Sequence, residues 1–245
     1  MIVLQAGHAN IQDNCSPDMR SGTGAPGEKD WTPTIATAVR AILLDHGVAA
    51  AVVDANFNCR PDVAQDWEAV VSIHYQANLP TPSGFFVGAG DPTEDGARDK
   101  SAALAQAIFS QYQRITGLPW RPSWNNVNVT HYYLFEKLSS ATPFCLIECG
   151  VGAPGAPDHD FLWSSDGINK VAGGIAAGIL TYLGKPLSSP VVTPPADPRD
   201  AQIADLNGRL AAAIIAVGAL QKKLDDRDAK DILRRAKAQE LVALL

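Results

Sequence analysis

Two histidines and two carboxylates of this 245-residue chain stand where sheet proteins do their chemistry. His8 follows the apolar stretch Met1 to Gln5, and His74 ends the apolar run that starts at Ala69. Glu148 ends another such run, Phe144 to Glu148, which follows Pro143. Glu28 closes a glycine-rich loop, Ser21 to Glu28, just ahead of a helical pattern. Functional groups of open α/β sheets gather at the carboxyl ends of the strands, so these four side chains are candidates to converge. Two histidines and one carboxylate are the donors that a catalytic zinc takes, with a fourth position left for water. Such a metal acidifies its water and polarises a carbonyl. A second carboxylate, off the metal, can take the water's proton and pass it to a leaving nitrogen. Amide hydrolysis needs that step, because an amine anion leaves poorly. A strand-end histidine alone is more often structural than a ligand. A strand-end glutamate is harder to dismiss: an unpaired buried carboxylate is costly, and a nearby cation would pair it.

The elements that must position these residues read as follows. Met1 to Gln5 is a short buried strand. Pro33 to His46 is an amphipathic helix with Ile35, Val39, Ile42 and Leu43 on one face and Gly47 as its stop. Val48 to Asp54, Ala69 to His74 and Gly84 to Gly88 are strands, the first rich in β-branched residues. Asp99 to Thr116 is a helix carrying Leu104, Ile108 and Tyr112 on one face, closed by Gly117. Tyr132 to Phe135 reads as a short strand, Phe144 to Glu148 as a longer one, and Asp166 to Leu183 as the last helix. Strands alternating with helices predict an α/β domain with a mostly parallel twisted sheet flanked by helices. No internal repeat is present.

Composition changes sharply after residue 185. Residues 186–199 hold five prolines in fourteen positions and read as a semi-rigid linker. Residues 200–245 contain no proline and read as helix. Ile203, Leu206, Leu210, Ala213, Val217, Leu220 and Leu224 fit alternating a and d positions of a heptad pattern. The pattern breaks at Asp225 to Asp228, so the tail is either a coiled coil or a helical hairpin. A coiled coil would make the chain a homo-oligomer through its C-terminal helix. The expected organisation is thus a catalytic domain over 1–185, a linker over 186–199 and a helical tail over 200–245.

Several function classes are disfavoured. The net charge is -6 and no face is basic, against the pattern of a nucleic-acid binder. The longest apolar run, Leu210 to Leu220, is too short to span a bilayer, so stable membrane insertion is not expected. Cys15, Cys59, Cys145 and Cys149 are too sparse for a disulfide scaffold and read as free thiols. Met1 to Leu4 opens without the basic and apolar regions of a signal peptide, so the chain is expected to be made in the cytoplasm.

Taken together, the motifs resemble the zinc-dependent, autolysin-like N-acetylmuramoyl-L-alanine amidase family. The resemblance runs over about 180 residues, in matching order and spacing. It is carried by Gln5-Ala6-Gly7-His8, by Gly27-Glu28 ahead of the first long helix and by Val71-Ser72-Ile73-His74. Gly84-Phe85-Phe86-Val87 follows, and then Pro143 to Glu148. The resemblance implies that His8, Glu28 and His74 bind Zn2+ and that Glu148 is the general base. It implies peptidoglycan as substrate, cut between N-acetylmuramic acid and L-alanine of the stem peptide. The chain departs from the family at Tyr75-Gln76, which precedes Ala77-Asn78, and at Cys149 to Pro154 after the glutamate. Trp120 to Asn126 is an aromatic stretch that reads either as loop packing or as a substrate wall. Of the remaining histidines, His46 sits at a helix end, His131 could reach the site as a donor and His159 reads as exposed. Without a visible export signal, the expected role is that of a phage or prophage endolysin, acting on the bacterial wall after release. The alternatives are a zinc endopeptidase or carboxypeptidase of peptidoglycan, or a non-catalytic phage structural or wall-binding module.

Overall fold

A computed structural model describes residues 1–9, 24–59, 62–77, 82–89, 98–124, 132, 134 and 137–185, all of which fall within the compact unit Met1–Thr193. The linker and tail expected over 186–245 lie outside the described residues, as do Asn78 and His131.

Five strands form one sheet in the order β2-β1-β3-β5-β4. They are β1 (Ile2–Ala6), β2 (Ala50–Val53), β3 (Ala69–Gln76), β4 (Phe86–Gly88) and β5 (Phe144–Val151). The pairs β1 with β2, β1 with β3 and β3 with β5 are parallel, whereas β4 runs antiparallel along β5. The mostly parallel α/β sheet read from the alternation of elements is the fold observed. Buried parallel strands read as continuous apolar runs, and β1, fully buried along Ile2–Ala6, is one.

The sheet has two unlike faces. Ile2, Leu4, Val71, Ile73, Cys145 and Ile147 point into a core shared with three helices: α1 (Glu28–Asp45), α2 (Arg98–Thr116) and, near the end of the domain, α4 (Ser165–Tyr182). Between β5 and α4 lies a short helix, α3 (His159–Trp163). The opposite face carries Val3, Val70, Phe144 and Leu146, covered by Phe57, Val63, Trp67 and Leu134 from connecting segments. Two helices of the first core approach closely through glycine. A Cβ on Gly178 would lie 2.4 Å from the Ile108 Cα, and one on Gly174 would lie 3.0 Å from the Tyr112 Cα.

Three departures from the sequence reading are the largest. α1 begins at Glu28, five residues before Pro33, which lies inside the helix. Gly27, at φ 90°, supplies the turn into it. β5 runs on past Glu148 to Val151 through a register shift opposite His74 and Gln76. The strand expected at Tyr132 to Phe135 is not found among the described residues: Leu134 starts a turn, accepting from Lys137 and Leu138. Cys145 and Cys149 are free and buried, as expected of reduced thiols.

Candidate metal centre

Strand alternation and register bring the candidate residues to one end of the sheet. Gln5, Ser72, His74 and Glu148 fall on the face away from the helices, by their spacing from Val3, Val70, Phe144 and Leu146. Gln5 pairs with Ser72 in register, and His74 with Glu148. His8 lies two residues beyond β1, in the left-handed region at φ 57°. It is the one described residue other than glycine with positive φ, a conformation that costs about 1–2 kcal/mol. Such strain is held where the surroundings over-determine it. The turn is tied down on both sides: Gly7 N–H donates to Ile73 O at 2.9 Å, and Thr32 Oγ1 donates to Gly7 O at 2.7 Å.

Glu28 enters from the first turn of α1, where the helix dipole favours an anion. Its Oε2 accepts from the Ala25 N–H at 2.8 Å, and its Oε1 accepts from the Tyr75 N–H at 3.2 Å. His74 Nδ1 lies 3.0 Å from Glu28 Oε1, and His8 Nε2 lies 3.9 Å from Oε2. The two imidazoles meet edge to face at 5.0 Å. One donor atom from each of His8, Glu28 and His74 falls within 4.8 Å of the others. Glu28 and His74 are buried, while the His8 side chain is 28% exposed, so the group opens to solvent on the His8 side.

Two glycines lie packed against the donors. A Cβ on Gly7 would lie 2.3 Å from the His74 ring. One on Gly24 would lie 2.4 Å from Glu28 Oε2 and 2.5 Å from the His8 ring. Any side chain at either position would displace a donor.

Burial sets the charge preferences of this group. Burial raises the Glu28 carboxyl from 4.5 to about 7, against the opposing pull of His8 and of the Ala25 and Tyr75 N–H groups. Burial likewise raises Glu148 to about 7, opposed by His74 and reinforced by Glu28. Burial lowers His74, which holds its imidazole neutral, the form that coordinates a metal. Glu148 Oε2 is enclosed and has no hydrogen-bond partner among the described residues. Two desolvated carboxylates, one of them orphaned, beside two imidazoles fit a divalent cation. It would supply the missing counter-charge and satisfy the lone pairs.

The structure therefore brings His8, Glu28 and His74 together and sets Glu148 beside them. His46 lies apart, its Nδ1 2.9 Å from Ile42 O at the end of α1. His159 is half-buried, paired with Asp160 at 3.1 Å, and has no part in the group. Gln5, Ser72 and Tyr132 surround the far side of the His74 ring and were not singled out from sequence. The available signal was the placement of Ser72 two residues before His74, on the same face of one strand.

Two imidazoles and a carboxylate, with a second carboxylate alongside, form a donor set that could hold a divalent cation at the carboxyl ends of a mostly parallel sheet, an arrangement suited to hydrolysis. The family of the chain is shown directly: residues 2–181 match N-acetylmuramoyl-L-alanine amidase, and the chain belongs to it. It is thus a peptidoglycan amidase. Among solved structures it is similar to the N-acetylmuramyl-L-alanine amidase Ami1 of Mycobacterium smegmatis, at 25% identity and a TM-score of 0.58. That match covers 75% of this chain and 97% of the other. An N-acetylmuramoyl-L-alanine amidase of Clostridium difficile 630 shares the fold at 21% identity and TM-score 0.56, over 75% and 96% of the two chains. So does the catalytic domain of the CD27L endolysin targeting Clostridia difficile, at 14% identity and TM-score 0.51, over 74% and 96%. No curated protein matches the chain.

Proposed function

We propose that the chain hydrolyses the amide between the lactyl group of N-acetylmuramic acid and L-alanine of the stem peptide. In this reading Zn2+ is held by His8, Glu28 and His74, and Glu148 is the general base. The observation that carries it is the convergence of the three donors within 4.8 Å beside the orphaned Oε2 of Glu148. Two histidines and a carboxylate suit zinc among the available divalent ions. When bound there, the metal supplies Lewis acidity, polarising the scissile carbonyl and acidifying water. Glu148 Oε2, which has no hydrogen-bond partner among the described residues, takes the proton of the attacking water and delivers it to the leaving nitrogen of L-alanine. Glu28 is locked by two backbone donors and His74 by polar contacts on its far side, so both are oriented in advance. The exposed edge of His8 marks the side from which substrate enters.

The biological setting we propose is a phage or prophage endolysin. Its support is the order read from the sequence, catalytic domain then linker then tail, together with the use of the same fold by an endolysin catalytic domain.

The test is digestion of purified peptidoglycan with and without a chelator, beside Glu148→Ala, with released ends identified by mass spectrometry. Free stem peptides beginning with L-alanine, lost with chelator and in the variant, are the expected result. Fragments cut within the stem would move the bond and favour an endopeptidase. No release from several peptidoglycan types would overturn the reading.

A further inference from the structure

On the side of His74 away from Glu28, three polar side chains meet around one amide oxygen. Ser72 Oγ donates to Gln5 Oε1 at 2.6 Å, and the Tyr132 hydroxyl donates to the same oxygen at 3.2 Å. The amide is oriented from its other end, where Gln5 Nε2 donates to Ala55 O at 3.4 Å. A carbonyl oxygen can only accept, so each hydroxyl commits its single proton to it. Both hydroxyl oxygens also lie within hydrogen-bond reach of His74 Nε2, Ser72 Oγ at 3.0 Å and Tyr132 OH at 3.1 Å. With their protons committed, they offer Nε2 only lone pairs. Nε2 bonds them only by carrying the ring proton, which frees the Nδ1 lone pair for a cation; without a cation, Glu28 Oε1 competes for that proton. Nδ1 is the nitrogen 3.0 Å from Glu28 Oε1, facing the other donors.

We propose that Gln5, acting through Ser72 and Tyr132, is a positioning residue that holds His74 in its Nε2–H tautomer and so presents Nδ1 to the cation. Metal-bound histidines are generally oriented by a partner for the second ring N–H. Here the partner is a pair of hydroxyls, and the acceptor that fixes their direction is a neutral amide one strand away. The parts are held firmly. Gln5 and Ser72 are fully buried and paired in register across β1 and β3. Tyr132 stacks on Phe144, with ring centroids 5.9 Å apart and planes 14° from parallel. The proposal rests on the reading of His74 as a metal ligand.

The full-length protein and two variants decide it. Gln5→Leu removes the acceptor, so either hydroxyl can turn its proton toward the single lone pair of Nε2 and favour the opposite tautomer. Gln5→Glu returns an acceptor oxygen at the same place. Two readouts are taken: the protonated ring nitrogen of His74 in the metal-free protein, by heteronuclear NMR, and zinc affinity, by competition with a chromogenic chelator. Wild type and Gln5→Glu are expected to hold more Nε2–H than Gln5→Leu and to bind zinc with similar affinity. Gln5→Leu is expected to gain Nδ1–H and bind zinc about 10- to 100-fold more weakly. Should Gln5→Leu not fold, the double variant Ser72→Ala with Tyr132→Phe takes its place, with loss of the Nε2–H preference expected. An unchanged tautomer and an unchanged affinity in the variant would overturn the proposal. A wild-type protein that binds no zinc would overturn the metal site itself, and the tautomer measurement would still decide the role of Gln5.

Discussion

Glu28 and Glu148 set how the site responds to pH once any cation is stripped away. Burial raises each carboxyl from 4.5 to about 7, so the fold prefers the protonated forms. The stability this contributes is fully present below pH 4.5 and is lost as pH rises through about 7. Glu148→Gln removes one of the two titrations. In the presence of chelator, the variant should therefore melt at a higher temperature than wild type at alkaline pH, and the gap should close as pH falls below 7. Thermal melts across the range check this, and a gap that widened toward acid would contradict it. The same variant should lose at least about 100-fold in amide hydrolysis while keeping its metal, if Glu148 moves the proton. Gly7→Ala tests the packing of the centre. Its Cβ would meet the His74 ring at 2.3 Å, so metal content should fall with the far-ultraviolet circular dichroism unchanged. Retained stoichiometric metal would show that the ring has another seat. The four proposed site residues stand out in the sequence because each sits beside a strand or helix whose apolar pattern is strong. Gln5, Ser72 and Tyr132 do not. Their hydrogen bonds join positions 67 and 127 residues apart, and neither spacing nor residue type announces such a meeting.

Between elements, the seam of α2 and α4 shows most clearly how packing overrides local preference. Alanine is the better helix former, by about 1 kcal/mol over glycine. At Gly178, however, a methyl would press on the Ile108 backbone at 2.4 Å. Gly178→Ala should therefore destabilise the protein, by about 1–3 kcal/mol, as overpacking generally does. A melting point several degrees lower is the expected reading, and a higher one would mean the helices can part without penalty. Asp158 makes a second such tie. Its buried Oδ2 accepts from the Gly84 N–H at 3.0 Å and the Val151 N–H at 2.9 Å, joining the approach to β4 to the end of β5. Asp158→Ala would leave two donors without an acceptor, at about 1–3 kcal/mol each, measurable by denaturant unfolding. Boundaries were the less legible part of these elements. Pro33 reads as a helix start because proline suits the first turn, but Gly27 turns the chain earlier and the helix absorbs the proline. The strand read as ending at Glu148 continues through Gly150 to Val151, because the register shift keeps β5 paired with Gln76.

At the scale of the chain, the five strands, the four α-helices and the proposed donors found among the described residues all lie before residue 186. A chain ending at Lys185 is expected to fold, to bind zinc and to cleave small soluble muropeptides like the full-length protein. If the tail serves to hold the wall, only digestion of intact walls should suffer. Loss of activity on both substrates would assign the tail a part in the catalytic unit. The sheet's unequal faces have a further consequence for how such an enzyme can change over generations. The helices and their glycine seam occupy one side, while His74 and Glu148 face the other, which connecting segments cover, and Glu28 reaches the group from the start of a helix. Mutations that retune substrate choice can accumulate at positions of those segments outside their buried core residues without touching the helical seam. The same separation makes the loop-covered side the natural place to graft new wall specificities, with the helical side left as an untouched chassis.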